Sequence, residues 1–151
     1  MRKTLTIIAV GLSLLSSNLV MAADNYISKK SPYSVPKTLD RLENIVKSKG
    51  ITVFTRVDHS AGARRVGQSM SDTQLLIFGN PKMGTPLMQE QIMMGLDLPM
   101  KALAWTDRQG QVWLSYLKPQ VLQQRHGLAN MGIIKKMTGA LNAMTSKAVE
   151  K

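Results

Sequence analysis

The chain has 151 residues, and its 20 Lys and Arg against 9 Asp and Glu give a formal net charge of +11. This length suits one domain with a real core, and a hydrophobic fraction of 44% excludes a mainly disordered chain. The absence of Cys excludes disulfide scaffolds, thiolate zinc sites, iron–sulfur clusters and cysteine nucleophiles. Aromatic residues are few and the basic residues are scattered, so we expect no specific nucleic-acid partner.

The N-terminal segment has the pattern of a secretory signal. Arg2 and Lys3 form a basic start, residues 5–20 carry no charge, and small residues follow at Ala22 and Ala23. The apolar run of about 16 residues is shorter than the roughly 20 that a membrane span needs. We expect residues 1–22 to be cleaved and residues 23–151 to form one periplasmic domain that does not span the membrane.

The first elements alternate between strand and helix. Tyr26–Ser31 is predicted to be a short edge strand, and Ser34 caps a helix whose apolar residues form one stripe and which Gly50 ends. Ile51–Val57 alternates apolar and polar residues, as half-buried strands do.

The middle of the chain predicts a short helix over Ala61–Gln68 and an interior strand over Thr73–Phe78. Gly79–Gly84 has the composition of a loop. Thr85 and Pro86 then have the residue types of an N-cap and a first helical position, which predicts a helix over Leu87–Met94.

The last third predicts a hairpin of Lys101–Thr106 and Gln111–Leu117, followed by a helix from Pro119 to His126. A basic helix starts near Asn130, and we expect it to fray after Asn142. The predicted fold is therefore α+β, a small two-layer domain in which an antiparallel or mixed sheet of four to five strands carries helices on one face.

His59 is the first candidate site residue, because it follows a strand and lies beside Asp58. An imidazole there can serve as a general base or a metal ligand, and a neighbouring carboxylate can shift its pKa. His126 is the only other histidine. A hydrogen-bonded structural role is the alternative for both.

The Gly79–Gly84 loop is the second candidate site, because it leads into a predicted helix N-terminus where free N–H groups can hold an anion. Asn80, Lys82 and Thr85 are its candidate ligand-binding residues. Its spacing matches no dinucleotide or phosphate-loop motif, so a structural turn is the alternative.

Six of the eleven methionines lie between Met70 and Met100. Thioethers can fill a core, line an adaptable apolar pocket or bind Cu(I). We expect mainly core packing and predict no metal site or cofactor.

Three runs resemble the family called domain of unknown function 302: VFTRVDHSA from residue 53, LLIFGNPKMGTPLM from residue 75 and LDLPMK from residue 96. Tyr116, Pro119, Leu122 and the run RHGL from residue 125 extend the resemblance, which covers about residues 30–130. The resemblance implies a two-layer α+β domain and is compatible with homodimers, but it does not indicate an activity. The family pattern coincides with the candidate residues His59, Asn80, Thr85 and His126, and adds Pro99.

These observations predict an exported domain that binds an unknown small molecule in a cleft between His59 and the Asn80–Thr85 loop. The shared cleft requires parallel strands, and the 15 residues from Asp58 to Asp72 are just long enough for a parallel crossover. Two alternatives stay open: an enzyme with His59 as acid or base, and a copper-handling protein that uses His59, His126 and methionines.

Overall fold

The computed structural model describes residues 25–151, so the predicted signal segment lies outside the described residues. The chain forms β1 (Tyr26–Ser31), α1 (Val35–Ser48), β2 (Thr52–Asp58), α2 (His59–Arg65), β3 (Thr73–Gly79), α3 (Pro81–Glu90), a 3-10 turn (Ile92–Leu96), β4 (Met100–Thr106), β5 (Val112–Leu117), α4 (Pro119–His126) and α5 (Met131–Val149). None of the helices within residues 25–151 is long and apolar enough to cross a membrane.

The five strands form one sheet in the order β1-β5-β4-β3-β2, and every neighbouring pair is antiparallel. This confirms the α+β prediction and the assignment of β1 as an edge strand and of β3 as an interior strand. Helix α1 packs on β3, β4 and β5, and α5 packs on α1 and on β1. Alternate strand residues face these helices and are buried, namely Leu76, Phe78, Ala102, Ala104, Leu114 and Tyr116.

Helix boundaries follow the predicted caps at α1 and α4. The Ser34 side chain accepts a hydrogen bond from the Lys37 N–H. Gly127 ends α4 with a φ of +60°, a left-handed conformation that glycine adopts at little cost.

The loop predicted over Gly79–Gly84 is wrong, because α3 already begins at Pro81. Asn80 is the N-cap, and its side chain accepts a hydrogen bond from the Lys82 N–H. The residue pair Thr85 and Pro86, which suggested a helix start, lies in the second turn of α3. The two glycines among residues 79–84 favoured a loop, so the helix start at Asn80 and Pro81 was not predicted.

The predicted fraying of the last helix after Asn142 is also wrong. The residues of α5 beyond Asn142 include the buried Met144, Thr145 and Ala148. The Arg41 Nε donates to the Ala148 carbonyl oxygen at 2.7 Å, and the Lys29 Nζ donates to the Ser146 hydroxyl at 2.6 Å. The end of α5 is therefore fixed to both α1 and β1.

Strands β2 and β3 are antiparallel, so the parallel crossover that the shared cleft required does not exist. Thr52 pairs with Gly79 and Asp58 pairs with Gln74. His59 therefore lies at one end of the sheet and Asn80 at the other. At about 3.3 Å per strand residue, they are roughly 20 Å apart.

Candidate functional site

An apolar cavity of about 220 Å³ lies between α3, α5 and the ends of the strands next to them. Helix α3 contributes Met83, Gly84, Thr85 and Met88, and α5 contributes Met137, Ala140, Leu141 and Met144. The first residue of α3, strand residues and the connections between elements form the remaining walls: Pro81, Ile51, Phe54, Phe78, Gly79, Asn80, Leu98, Pro99 and Met100. The described residues that line this cavity include no ionisable side chain.

Five thioethers are the most numerous side chains of this lining, namely Met83, Met88, Met100, Met137 and Met144. The prediction of mainly core packing holds for Met94 and Met100, which belong to the core, and Met83 and Met88 pack against it, whereas Met70 and Met93 are about half exposed. Unbranched thioether side chains are polarizable and change rotamer easily, so this cavity can adapt to ligands of different shape.

Two of the predicted loop residues, Asn80 and Thr85, line the cavity. The Asn80 Oδ1 accepts the Lys82 N–H at 3.0 Å, so the amide nitrogen is the donor that remains on this side chain. Thr85 supplies a hydroxyl. Lys82 is exposed on the first turn of α3 and does not line the cavity.

His59 is not part of this site. It is an exposed residue at the start of α2, and the neighbouring Asp58 serves as the helix N-cap. The Asp58 carboxylate accepts the Ala61 N–H at 2.8 Å, the Ser60 hydroxyl at 2.7 Å and the Gln74 side-chain amide at 3.1 Å. These hydrogen bonds, chiefly that from Ala61, hold the pKa of Asp58 below its usual range. The Asp-His pair of the sequence therefore builds a helix start.

His126 contacts Asp97 rather than His59. The His126 Nε2 lies 2.6 Å from the Asp97 Oδ2, and the Arg125 Nη1 lies 2.7 Å from the other carboxylate oxygen. The hydrogen bond with His126, and then that from Arg125, lowers the pKa of Asp97. The two histidines do not converge, because Asp97 precedes β4 at the end of the sheet opposite to His59.

The Asp97 contacts act on the cavity through the backbone. Lys101 Nζ donates to the carbonyl oxygens of Asp97 and Pro99 at 2.9 and 3.0 Å. Leu98 and Pro99, which directly follow Asp97 in the chain, form part of the cavity wall. His126 therefore contacts the segment that leads into this wall.

No group of three or more His, Cys, Asp or Glu close enough for a metal ion occurs within residues 25–151. Five methionines line the cavity, and thioether sulfur is a soft donor.

The fold and the cavity define a small two-layer α+β domain with a methionine-lined apolar site. The family model described as "Domain of unknown function DUF302" matches residues 27–144, and the chain belongs to this family. This confirms the family resemblance. The match begins in β1 and ends in α5, so it includes cavity residues beyond the predicted 30–130 core.

A crystal structure of an uncharacterized conserved DUF302 protein from Bacillus stearothermophilus has the same fold. The TM-score is 0.76 at 20% identity, over 83% of this chain and 99% of that chain. In sequence, the chain is 46% identical over 124 residues to "Fluoride-specific ion channel FluC 1" of Brucella suis biovar 1 (strain 1330), covering 81% of this chain and 49% of that protein. The identity to "Fluoride-specific ion channel FluC 2" of Brucella melitensis biotype 1 is also 46%, with 81% of this chain and 46% of that protein covered. The chain thus spans about half the length of these curated relatives.

The wall formed by α5 was not predicted from the sequence. Ile134, Met137, Leu141, Met144 and Ala148 are spaced by three or four residues, and all are buried. That spacing marks one apolar stripe, which predicts a packed helix to its end. The basic residues of the same segment obscured this signal.

Proposed function

We propose that this domain binds a small, neutral, apolar molecule in the cavity between α3 and α5. The single observation that carries the proposal is a cavity of about 220 Å³ whose lining is apolar apart from a few polar groups. A dry cavity of about 150 Å³ is large enough for benzene. The present one therefore suits a substituted aromatic ring or a branched aliphatic molecule of similar size.

Asn80 and Thr85 supply the polar contacts of this proposed site. Binding sites of this kind combine apolar walls with a few placed polar groups that orient the ligand. A ligand with one hydroxyl, carbonyl or ring N–H fits this pattern. A bare anion such as fluoride does not fit, because it would lose its hydration without gaining a cationic partner from the lining.

The methionines provide a direct test by NMR. In the full chain labelled at the methionine methyl carbons, titration with indole is expected to shift the signals of Met83, Met88 and Met137. Met70 does not line the cavity, so its signal is the internal control and is expected to stay in place. No shift at any cavity methionine, or equal shifts at all eleven, would contradict the proposal.

A matched pair of variants on α5 tests the location. Ala140 lines the cavity, whereas Ala143 on the same helix is exposed. We expect Ala140→Phe to fill the cavity and abolish the indole-dependent shifts, and Ala143→Phe to retain them. Because both add the same side chain to one helix, thermal melts of the pair separate loss of binding from loss of folding.

Binding of Cu(I) is the second candidate function, and the five thioethers in one cavity favour it. Soft sulfur ligands select Cu(I) over harder cations. Competition with the chelator bicinchoninate under reducing conditions tests this candidate. Transfer of Cu(I) to the chain, lost in Met83→Leu and Met137→Leu but kept in Met70→Leu, would establish it. The structure gives His59 and His126 no part in this donor set.

Catalysis with His59 as acid or base has no support from the geometry, because His59 is exposed and roughly 20 Å from the Asn80 end of the sheet.

Export stays a proposal based on residues 1–23. Intact mass of the protein from a periplasmic fraction tests it, with Ala23 or Asp24 as the expected first residue. A product that still carries Met1 would contradict it. Dimerisation also stays a prediction, and light scattering of the purified chain would measure it.

A further inference from the structure

The Ile92–Leu96 turn exposes apolar side chains to an unusual extent. Ile92 is 75% exposed, Leu96 76% and Met93 54%, whereas Met94 of the same turn is fully buried. Single exposed apolar residues are common on protein surfaces, whereas three within one five-residue turn are a local concentration, and concentrations of exposed apolar surface mark interaction sites.

This exposure is a fixed feature of the fold. The Met94 side chain is anchored in the core, and the Met94 carbonyl oxygen accepts the N–H groups of Asp97 and Leu98 at 3.1 and 3.0 Å. The Asp97 carboxylate is in turn held by Arg125 and His126. The turn that carries Ile92, Met93 and Leu96 is therefore anchored to the core and to α4.

The charges around the turn are mainly positive. Helices α3 and α4, which contact the turn, carry the exposed residues Lys82 and Arg125. Lys135 and Lys136 are exposed on the first turns of α5, which packs against α4. The one acid on these three segments is Glu90, whose carboxylate accepts the Ala129 N–H. Asp97 is paired with Arg125. The net charge of the whole chain, which includes these residues, is +11. An anionic partner is therefore favoured.

The size of the patch distinguishes a bilayer from a protein partner. A specific protein interface buries about 800 Å² on each side, more than three side chains of one turn can supply. A bilayer surface accepts apolar side chains about 5–10 Å deep, and anionic headgroups attract the surrounding lysines. We propose that the Ile92–Leu96 turn docks this domain on an anionic lipid surface, with Ile92, Met93 and Leu96 inserted among the headgroups.

The absence of cysteine allows a positional test, because one introduced thiol carries the only label. Full-length Leu96→Cys and Val66→Cys are labelled with an environment-sensitive nitrobenzoxadiazole dye. Val66 is the control because it is 70% exposed and follows α2, at the opposite end of the sheet. With vesicles that contain phosphatidylglycerol, we expect a blue shift and an intensity gain at position 96 and none at position 66.

The electrostatic part is tested in the labelled Leu96→Cys background. Lys135→Gln with Lys136→Gln is expected to weaken apparent vesicle affinity roughly 30-fold, since a lysine near an anionic surface contributes about 1 kcal/mol. Arg64→Gln with Arg65→Gln, two exposed arginines at the end of α2 beside Val66, is the control and should leave the affinity unchanged. The proposal is overturned if the label at position 96 does not respond to the vesicles, or if positions 66 and 96 respond equally. A response of the same size with phosphatidylcholine alone would also overturn it.

Discussion

The imidazole of His126 lies 2.6 Å from the carboxylate of Asp97, although 29 positions separate the two residues in the chain. This contact joins the end of α4 to the segment between the Ile92–Leu96 turn and β4. One side of that segment forms a cavity wall through Leu98 and Pro99, and the other carries the exposed turn. One carboxylate therefore supports two separate surfaces of the domain.

Replacing Asp97 with Asn is expected to lower the free energy of unfolding by about 1–3 kcal/mol at neutral pH, because Arg125 and His126 lose a charged acceptor. The pKa of Asp97 is lower in the folded chain than the ordinary value, chiefly through the His126 hydrogen bond. Its contribution is therefore present above the ordinary aspartate pKa and is lost as the pH falls through the lower, folded pKa.

Urea unfolding of Asp97→Asn and the parent chain, followed by Trp fluorescence, measures this pH dependence. The stability difference should shrink as the pH is lowered through the acid range. Asp72→Asn, at an exposed position, is the control and should show no such trend. A difference that stays constant down to acid pH would refute the assigned role of Asp97.

The Asn80 N-cap is expected to contribute more to stability than an exposed surface ion pair. Asn80→Ala removes the acceptor of the Lys82 N–H, which typically costs about 1 kcal/mol. Lys47→Ala breaks an exposed pair with Glu43, worth about 0.3–0.5 kcal/mol. Thermal melts compare the two, and Asn80→Asp should restore the parent melting temperature. Equal melting temperatures for Asn80→Ala and Lys47→Ala would contradict the cap.

The end of α5 is expected to be essential to the core. Met144→Ala removes a side chain that is 2% exposed, and large-to-small changes of this kind cost about 2–5 kcal/mol. Lys147→Ala on the exposed face of the same helix should cost much less. Denaturant midpoints measure both effects. Similar midpoints for the two variants would mean that the helix end is not packed in solution.

A buried pair of hydroxyls links β1 to α1. The Oγ of Ser31 and the Oγ1 of Thr38 are 2.6 Å apart, and the Thr38 hydroxyl donates to the Ser34 carbonyl oxygen. Thr38→Val keeps the shape but leaves the Ser31 hydroxyl without this partner, so we expect a loss of about 1–3 kcal/mol. Ser31→Ala with Thr38→Val removes both hydroxyls, so the double variant should be more stable than the sum of the two single losses implies. Urea unfolding of the parent, the two single variants and the double variant gives this double-mutant cycle. Additive effects would show that the two hydroxyls are not coupled.

Local sequence signals predicted most of the elements, because periodicity and caps act over a few residues. The stripe of α1, the hairpin of β4 and β5, and Gly127 at the end of α4 are examples. Asn80 and Pro81 form a helix start of the same kind as Ser34 and Pro36, but the glycines at positions 79 and 84 favoured a loop assignment.

The direction of β3 relative to β2 was not predictable from local signals. A connection of 15 residues permits either direction, and only the pairing of β3 with both β2 and β4 decides it. That direction separated His59 from Asn80 and removed half of the expected cleft. The actual cavity instead includes Met137 and Met144. Their approach to α3 depends on tertiary packing, which cannot be read from a short stretch of sequence.

The pairing of β1 with β5 determines when the sheet can be completed during synthesis of the chain. Tyr26–Ser31 emerges first, yet its partner Val112–Leu117 is translated more than 80 residues later. Long-range pairing of this kind forms only when both segments are available. The β1–β5 pair therefore forms only after β5 has been translated, so this edge of the sheet cannot close before the last strand is made.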